Sequence, residues 1–306
     1  MYEDQTNKEG RFARTSGEPK PHLVDASATP NGRQWTRDRE VKLSILMPAY
    51  NEARYIDDAI QAVLATRFPF AYEVIVVNDG SDDATGKILD RVEDDRIVAY
   101  HHPRNMGKGA ALHTAAAVAS GTHIVPFDAD LEYSPADLIR MMEPVIEGRY
   151  DVVYGTRLFG ANTMYQSYRH AMGNRALTLA ANLMFDSYIR DMHTCLKLLP
   201  LDLFRQMQLS ESGFGLDTEI TAKILKMGIR PFEVPVTYHS RSVEHGKKIT
   251  WRDGVECLQV LARVRLRKPQ RHVVAEPPPS VNARKSPKAG ARRGVQKRER
   301  ELAASG

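Results

Sequence analysis

The chain reads as an α/β protein, a mostly parallel sheet with helices on both faces. Three observations predict this. Apolar runs of strand length alternate with segments of helical period, the connections are short, and the runs are apolar throughout. Strands buried on both faces have that continuous apolar character, and their alternation with helices marks crossover-connected parallel strands. A β-sandwich or a helical bundle is excluded by the same pattern.

Residues 1 to about 40 are polar, carry Pro19, Pro21 and Pro30, and show no apolar period, so disorder is expected there. Order begins at Val41-Lys-Leu-Ser-Ile-Leu-Met-Pro48, a strand-length run stopped by proline. The spacing of Ile56, Ile60, Val63 and Leu64 predicts a helix from about Arg54 to Thr66. Tyr72–Asn78 is a second buried-type strand, after which Asp79-Gly-Ser-Asp-Asp83 caps a helix carrying Ile88, Leu89 and Val92. Arg96–Tyr100 is a third strand. Asn105-Met-Gly-Lys-Gly109 leads into an Ala-rich helix over 110–119, and Thr122–Phe127 is the fourth strand. Ser134-Pro135 caps a helix to about Ile146, and Asp151–Tyr154 is another strand.

Beyond that point the alternation loosens. A long helical pattern runs from about Met164 to Phe185, with Tyr168, Met172, Ala176, Leu179 and Leu183 on one stripe. The plain reading is a core helix that buries this stripe; the other is an interfacial helix with Tyr165, Tyr168 and Met172 facing a bilayer. Helices near Leu201–Met207 and Asp217–Met227 precede a strand over Phe232–Tyr238. An ordered domain over 41–250 is therefore followed by an amphipathic helix over 251–268 and a basic, Pro-rich disordered tail over 269–306.

A length of 306 residues suits one large or two ordinary domains. Cys195 and Cys257 are the only cysteines, so neither a disulfide framework nor a cysteine zinc site is expected, and a reducing cytoplasm is the simplest home. The first residues lack the basic-then-apolar order of a signal peptide, and no window approaches the ~18 apolar residues of a membrane span. Net charge is +5, but the stretch from Arg263 onward holds thirteen Lys/Arg against three Glu, a net of +10, leaving −5 for everything before it. The basicity belongs to the tail, so no dedicated nucleic-acid partner is expected.

Chemistry concentrates at His123-Ile-Val-Pro-Phe-Asp-Ala-Asp130, where an apolar run meets two carboxylates spaced i, i+2. Alternate residues of a strand share a face, and the carboxyl edge of an open parallel sheet is where ligands bind. Two carboxylates there suit a hard cation that also takes substrate phosphates, although Asp-x-Asp is also ordinary turn punctuation. Three further loops fall on the same edge: Pro48-Ala-Tyr-Asn-Glu52, Asn78-Asp-Gly-Ser81 and Asn105-Met-Gly-Lys-Gly109. The last offers glycine-exposed N–H groups and an ammonium at a helix start, a setting for phosphate, without the spacing of a Walker loop.

These motifs, in this order, resemble the family-2 glycosyltransferases of the GT-A fold. Asp128-Ala-Asp-Leu-Glu-Tyr133, Val153-Tyr-Gly-Thr-Arg157, Asp191-Met-His-Thr-Cys-Leu-Lys197 and Glu244-His-Gly-Lys-Lys-Ile249 resemble the dolichol-phosphate and polyprenyl-phosphate mannosyl- and glucosyltransferases within it. The likeness spans about residues 41–260. It implies that Pro48, Ala49, Tyr50, Asn51, Glu52 and Asp79 hold the base and ribose, with Lys108 nearby. Asp128, Ala129 and Asp130 would face the nucleotide sugar, the two carboxylates binding Mg2+ or Mn2+ across the diphosphate, with Glu132 where relatives often carry a metal-facing Gln. Arg157 and Arg169 match positions that engage the lipid phosphate, and Arg241 and Lys247 (or Lys248) those that close over the diphosphate. Asp130, Arg157 and Asp191 are the expected catalytic residues. The Asp191 motif departs from the pattern, with His193 where relatives have Glu or Gln and Leu196 where they have an aromatic.

The expected reaction is metal-dependent, inverting transfer of a hexose from GDP-mannose or UDP-glucose to polyprenyl phosphate. A phosphate acceptor is already an oxyanion, so positioning and charge stabilisation would carry the rate. With a hydroxyl acceptor, Asp191, Asp217 or Glu219 would be base candidates. That rival, a family-2 enzyme acting on a metabolite or glycan, is favoured by the lack of a span and opposed by the Arg157 and Lys247 motifs. Many relatives carry carboxy-terminal spans and no window of this sequence reads as one, so the chain is expected to be cytoplasmic and at most peripheral to an anionic membrane, its tail adding ~1 kcal/mol per basic residue. A nucleotidyltransferase would need a Gly-rich basic loop where Pro48–Glu52 stands. A basic-tailed nucleic-acid binder would owe its binding to residues 269–306.

Overall fold

Strand β1 (Lys42–Ala49) pairs in parallel with β2 (Ala71–Asn78) along its whole length, Lys42 opposite Ala71 through Ala49 opposite Asn78. The computed structural model describes residues 40–157, 163–164, 168–213, 215–240 and 251–267. The expected disordered ends, Tyr165, Arg241, Lys247 and Lys248 lie outside these. The elements follow in order: β1, α1 (Ile56–Ala65), β2, α2 (Thr85–Leu89), β3 (Ile97–His101), α3 (Lys108–Val118), β4 (His123–Pro126), α4 (Asp137–Ile146) and β5 (Val153–Thr156). Then come β6 (Thr163–Met164), α5 (Tyr168–Phe185), β7 (Lys197–Pro200), α6 (Leu201–Gln206), α7 (Gly215–Lys226), β8 (Phe232–Pro235), β9 (Tyr238–His239) and α8 (Trp251–Leu266).

Seven strands form the main sheet in the order β3-β2-β1-β4-β7-β5-β8, and β6 pairs with β9 alone. Strands β1 to β4 are mutually parallel, as are β5 and β8, whereas β7 runs antiparallel to both β4 and β5. Alternate residues of each strand feed opposite faces. Leu43, Ile45 and Met47 join α1 and α4 in one core, while Leu46, Ile75 and Ile124 join α3, α6 and α7 in another. This two-sided burial is why the strands read as unbroken apolar runs.

Strand β7 was not expected. Its four residues include a lysine and end in proline, and Leu-Leu-Pro-Leu is equally compatible with a helix start. Lys197 is nonetheless fully buried, because its ammonium finds the Thr194 carbonyl and, at 2.6 Å, the Asp217 carboxylate. A buried charge needs such partners, and tertiary structure alone supplies them.

The stripe on α5 is also corrected. The core reading had it facing inward; instead Tyr168 (79% exposed), Met172, Leu179 and Leu183 (76%) point outward, and Thr178, Ala181 and Phe185 are the buried set. The small buried face meets α7 and α8 in a third cluster with Ile189, Met192, Val260 and Leu261. Helix α8 likewise buries Cys257, Val260, Leu261 and Val264 and leaves Trp251, Val255, Leu258 and Leu266 exposed. Among the described residues no helix is long and apolar enough to cross a membrane.

Candidate active site at the carboxyl edge of the sheet

The parallel strands bring the expected loops to one edge. After β1, Asn51 adopts a left-handed backbone (φ 55°) and is sewn to the loop after β2: its N–H donates to Ser81 Oγ (2.9 Å) and its side-chain oxygen accepts from Asp82 N–H (2.9 Å). Glu52 N–H donates to Thr85 Oγ1 at 2.9 Å. Pro48 is half-buried, Ala49 buried, and Tyr50 exposed at the rim. Gly80 (φ 69°) passes so close to Arg104 that a Cβ would lie 2.2 Å from its carbonyl carbon, so this turn requires glycine.

Asp79 is nearly buried, and both its oxygens are engaged. Oδ1 accepts from Met106 N–H (2.9 Å) and lies 2.6 Å from His102 Nδ1; Oδ2 accepts from Gly107 N–H at 2.7 Å. A carboxylate only accepts, so His102 carries its proton on Nδ1. Its Nε2 faces Thr114 Oγ1 at 2.8 Å. The Asn105–Lys108 loop is thus pinned from behind, with Gly107 in a conformation (φ 92°) and a contact with Ser212 that exclude a side chain. His102 was invisible in the sequence, being 23 residues from the carboxylate it holds.

The Asp pair lies just past β4. Strand pairing ends at Pro126 and Ala129–Asp130 form a turn, so the pair stands on the loop at the carboxyl end of β4, with Phe127 and Ala129 buried and Asp128 and Asp130 part-exposed. Lys108 Nζ sits 2.7 Å from Asp128 Oδ1, with Cys195 Sγ at 3.8 Å. Burial works against the ammonium, but the carboxylates of Asp128 and Asp217 outweigh it and hold its pKa well above the ordinary value. A row of alternating charge therefore runs from Asp128 through Lys108 and Asp217 to Lys197. Burial pushes the Cys195 thiol up, and Asp128 adds to the effect.

Among the described residues no group of three or more His, Cys, Asp or Glu side chains converges to hold a metal. The pair still fits one: Mg2+-type ions take one or two carboxylates and complete their shell with phosphate and water oxygens. Asp128 already attracts a cation, the Lys108 ammonium. Asp130 accepts from Glu132 N–H at 3.1 Å, and the Glu132 carboxylate accepts from the Tyr238 hydroxyl at 2.9 Å.

Arg157, at the exit of β5, forks onto Asp191 and lies over the Tyr238 ring at 5.0 Å. Asp191 also accepts from Asn174 at 2.8 Å and is wholly buried. Burial opposes its charge, but the Arg157 guanidinium and these hydrogen bonds win and lower its pKa to about 2. The other base candidates differ. Glu219 accepts from Ser210 and Glu211 N–H, both at 2.8 Å, and pairs with Lys223, which closes its own loop. Asp217 stands beside Lys197 and Lys108 with its side chain 24% exposed. Arg169 lies exposed in the first turn of α5, apart from the buried set of that helix.

A sequence profile described as Glycosyl transferase family 2 matches residues 44–207, the stretch that carries these loops. The chain belongs to that family. It is 32% identical over 209 residues to glycosyltransferase AglD of Haloferax volcanii, covering 66% of this chain and 34% of AglD. It is 30% identical to the low-salt glycan biosynthesis hexosyltransferase Agl6 of the same organism, covering 66% of this chain and 49% of that one. The chain thus spans half or less of the length of these two relatives. Among solved structures it is similar to the glucosyl-3-phosphoglycerate synthase of Mycobacterium tuberculosis in complex with Mn2+, UDP and glucosyl-3-phosphoglycerate. There the TM-score is 0.54 at 19% identity, over 82% of this chain and 86% of that one. The fold of this family-2 chain is therefore GT-A.

Proposed function

We propose that this family-2 chain transfers a hexose from a nucleotide sugar, GDP-mannose or UDP-glucose, to polyprenyl phosphate. The observation that carries the transfer reading is the gathering of the Pro48–Glu52 loop, the Gly107–Lys108 helix start and Asp128-Ala-Asp130 on one sheet edge. Agl6 is named a hexosyltransferase, and the mycobacterial synthase is described with UDP and Mn2+; both support the donor class.

The first-loop residues would receive the base and ribose, with Asp79 acting through the loop it pins. Asp128 and Asp130 would hold Mg2+ or Mn2+, with Glu132 behind them. When bound, that ion would neutralise charge growing on the departing diphosphate. Arg157, fixed in a fork by Asp191, would turn its guanidinium toward the acceptor phosphate, a planar cation that suits such an anion. Asp191 would then serve by positioning Arg157. Arg169, Arg241 and Lys247 are proposed as further phosphate contacts.

The exposed stripe of α5 supports a lipid acceptor. Leu179 (57% exposed) and Leu183 each forgo roughly 1–2 kcal/mol by remaining largely in water. The helix carries no acidic residue, and its basic ones are Arg169, His170 and Arg175. Such a face suits the headgroup region of an anionic membrane.

A hydroxyl acceptor is the second reading, and Asp217 favours it: a carboxylate near Lys108, partly exposed, at the start of α7. The mycobacterial synthase is named for glucosyl-3-phosphoglycerate, a small molecule rather than a lipid, which supports a soluble acceptor. The test is incubation with membrane lipids and a panel of radiolabelled nucleotide sugars, with Mg2+ or Mn2+ and then with a chelator. Label entering the organic phase, and lost on chelation, is expected. Label confined to the aqueous phase would move the assignment to the second reading, and failure to bind or hydrolyse any nucleotide sugar would overturn both.

A further inference from the structure

Both oxygens of Asp128 are held by a single ammonium, with Lys108 Nζ 2.7 Å from Oδ1 and 2.9 Å from Oδ2. We propose that Lys108 is a tethered cation: it occupies Asp128 while the nucleotide is absent, and it leaves for the diphosphate when a divalent ion takes its place. The inference rests on the metal-dependent reading above and adds an order to it, in which metal and nucleotide load together.

The backbone and the side chain of Lys108 have different freedoms. Its backbone opens α3 behind Gly107, and that segment is locked by Asp79 through Met106 and Gly107 N–H. Its side chain is 30% exposed and ends a flexible four-carbon stem. The ammonium can therefore move while its anchor stays. On its far side Cys195 Sγ, at 3.8 Å, is a weak acceptor, and Asp217 already holds Lys197 at 2.6 Å. Among the described residues Asp128 is the carboxylate that holds this charge, on both of its oxygens.

An ammonium and a dication cannot both sit on one small carboxylate without strong repulsion. A diphosphate resolves the conflict, since its oxygens serve both the ion and the lysine ammonium. It follows that the metal alone binds poorly, that nucleotide improves it, and that the improvement is reciprocal.

The test is Mn2+ binding by the full-length protein, read from the loss of the free-ion electron paramagnetic resonance signal, with and without GDP or UDP. The Lys108→Met variant should bind Mn2+ alone about tenfold more tightly than wild type, and the gain from added nucleotide should shrink, as expected for coupled sites. Lys108→Arg, which keeps the charge, should retain the wild-type pattern, and adding Asp128→Asn to Lys108→Met should abolish the gain. Lys108→Gln repeats the measurement should the Met variant fold poorly. Equal or weaker Mn2+ binding by both neutral variants would overturn the proposal while leaving the enzyme reading intact. A wild type that takes no Mn2+ even with nucleotide would overturn both.

Discussion

Arg157 and Asp191 meet in a two-pronged ion pair, Nε to Oδ2 at 2.6 Å and Nη2 to Oδ1 at 2.8 Å, with the carboxylate fully buried. Removing one partner leaves a charge without its counter-ion. Arg157→Met should therefore cost about 3–5 kcal/mol, whereas replacing both partners with apolar residues should cost less than either single change. Urea denaturation of Arg157→Met, Asp191→Leu and the double variant measures this. Additive losses would mean that the pair is not the coupled unit its geometry describes.

Buried His123 and part-buried His193 should make stability depend on pH. Burial lowers His123 to about 4; burial, with smaller opposing charges around it, lowers His193 to about 4 as well. Each is neutral in the folded state at pH values where the unfolded chain would be protonated. Their contribution is present above pH 6.5, the ordinary value, and is lost as pH falls from there through about 4. The loss should be on the order of 1–3 kcal/mol per histidine. Denaturation midpoints at pH 7 and pH 4.5 should differ by less in His123→Gln and His193→Gln than in wild type. An unchanged pH slope in both variants would remove the histidines from the account.

Asp217→Asn separates the two acceptor readings. If a phosphate oxyanion attacks, turnover should fall by less than about tenfold. If a hydroxyl must be deprotonated, the fall should be about 10²–10⁴-fold, the usual contribution of a general base. Single-turnover assays with each acceptor class decide between them, and Asp217→Glu should recover part of any loss.

Leu179→Glu combined with Leu183→Glu changes only side chains that already face water, so the melting temperature should move little. Co-sedimentation with vesicles rich in anionic lipid should drop severalfold. Should the variant sediment as wild type does, α5 is not the membrane-facing element.

Several features were legible in short windows. The alternating elements, the glycine turn at Gly80 and the loops ending β1, β2 and β4 all depend on nearest neighbours in the chain, where turn chemistry and periodicity act. What was missed shares one cause. His102 beneath Asp79, Lys197 within β7 and Asn174 on Asp191 are polar groups tied to partners 17 to 23 residues away, and no local pattern announces them.

By itself the sequence determined the α/β architecture, the family and the sheet edge on which the motifs gather, because parallel strands must deliver their carboxyl ends to one side. Tertiary structure alone decided which charges are committed: Asp191 to Arg157, Asp79 to the loop it pins, and Asp128 to Lys108. It also decided that the apolar stripe of α5 faces outward. An amphipathic period tells that a helix has faces, but which face is buried depends on what packs against it. Here Thr178, Ala181 and Phe185 face α7 and α8, and Tyr168, Met172, Leu179 and Leu183 were left outside.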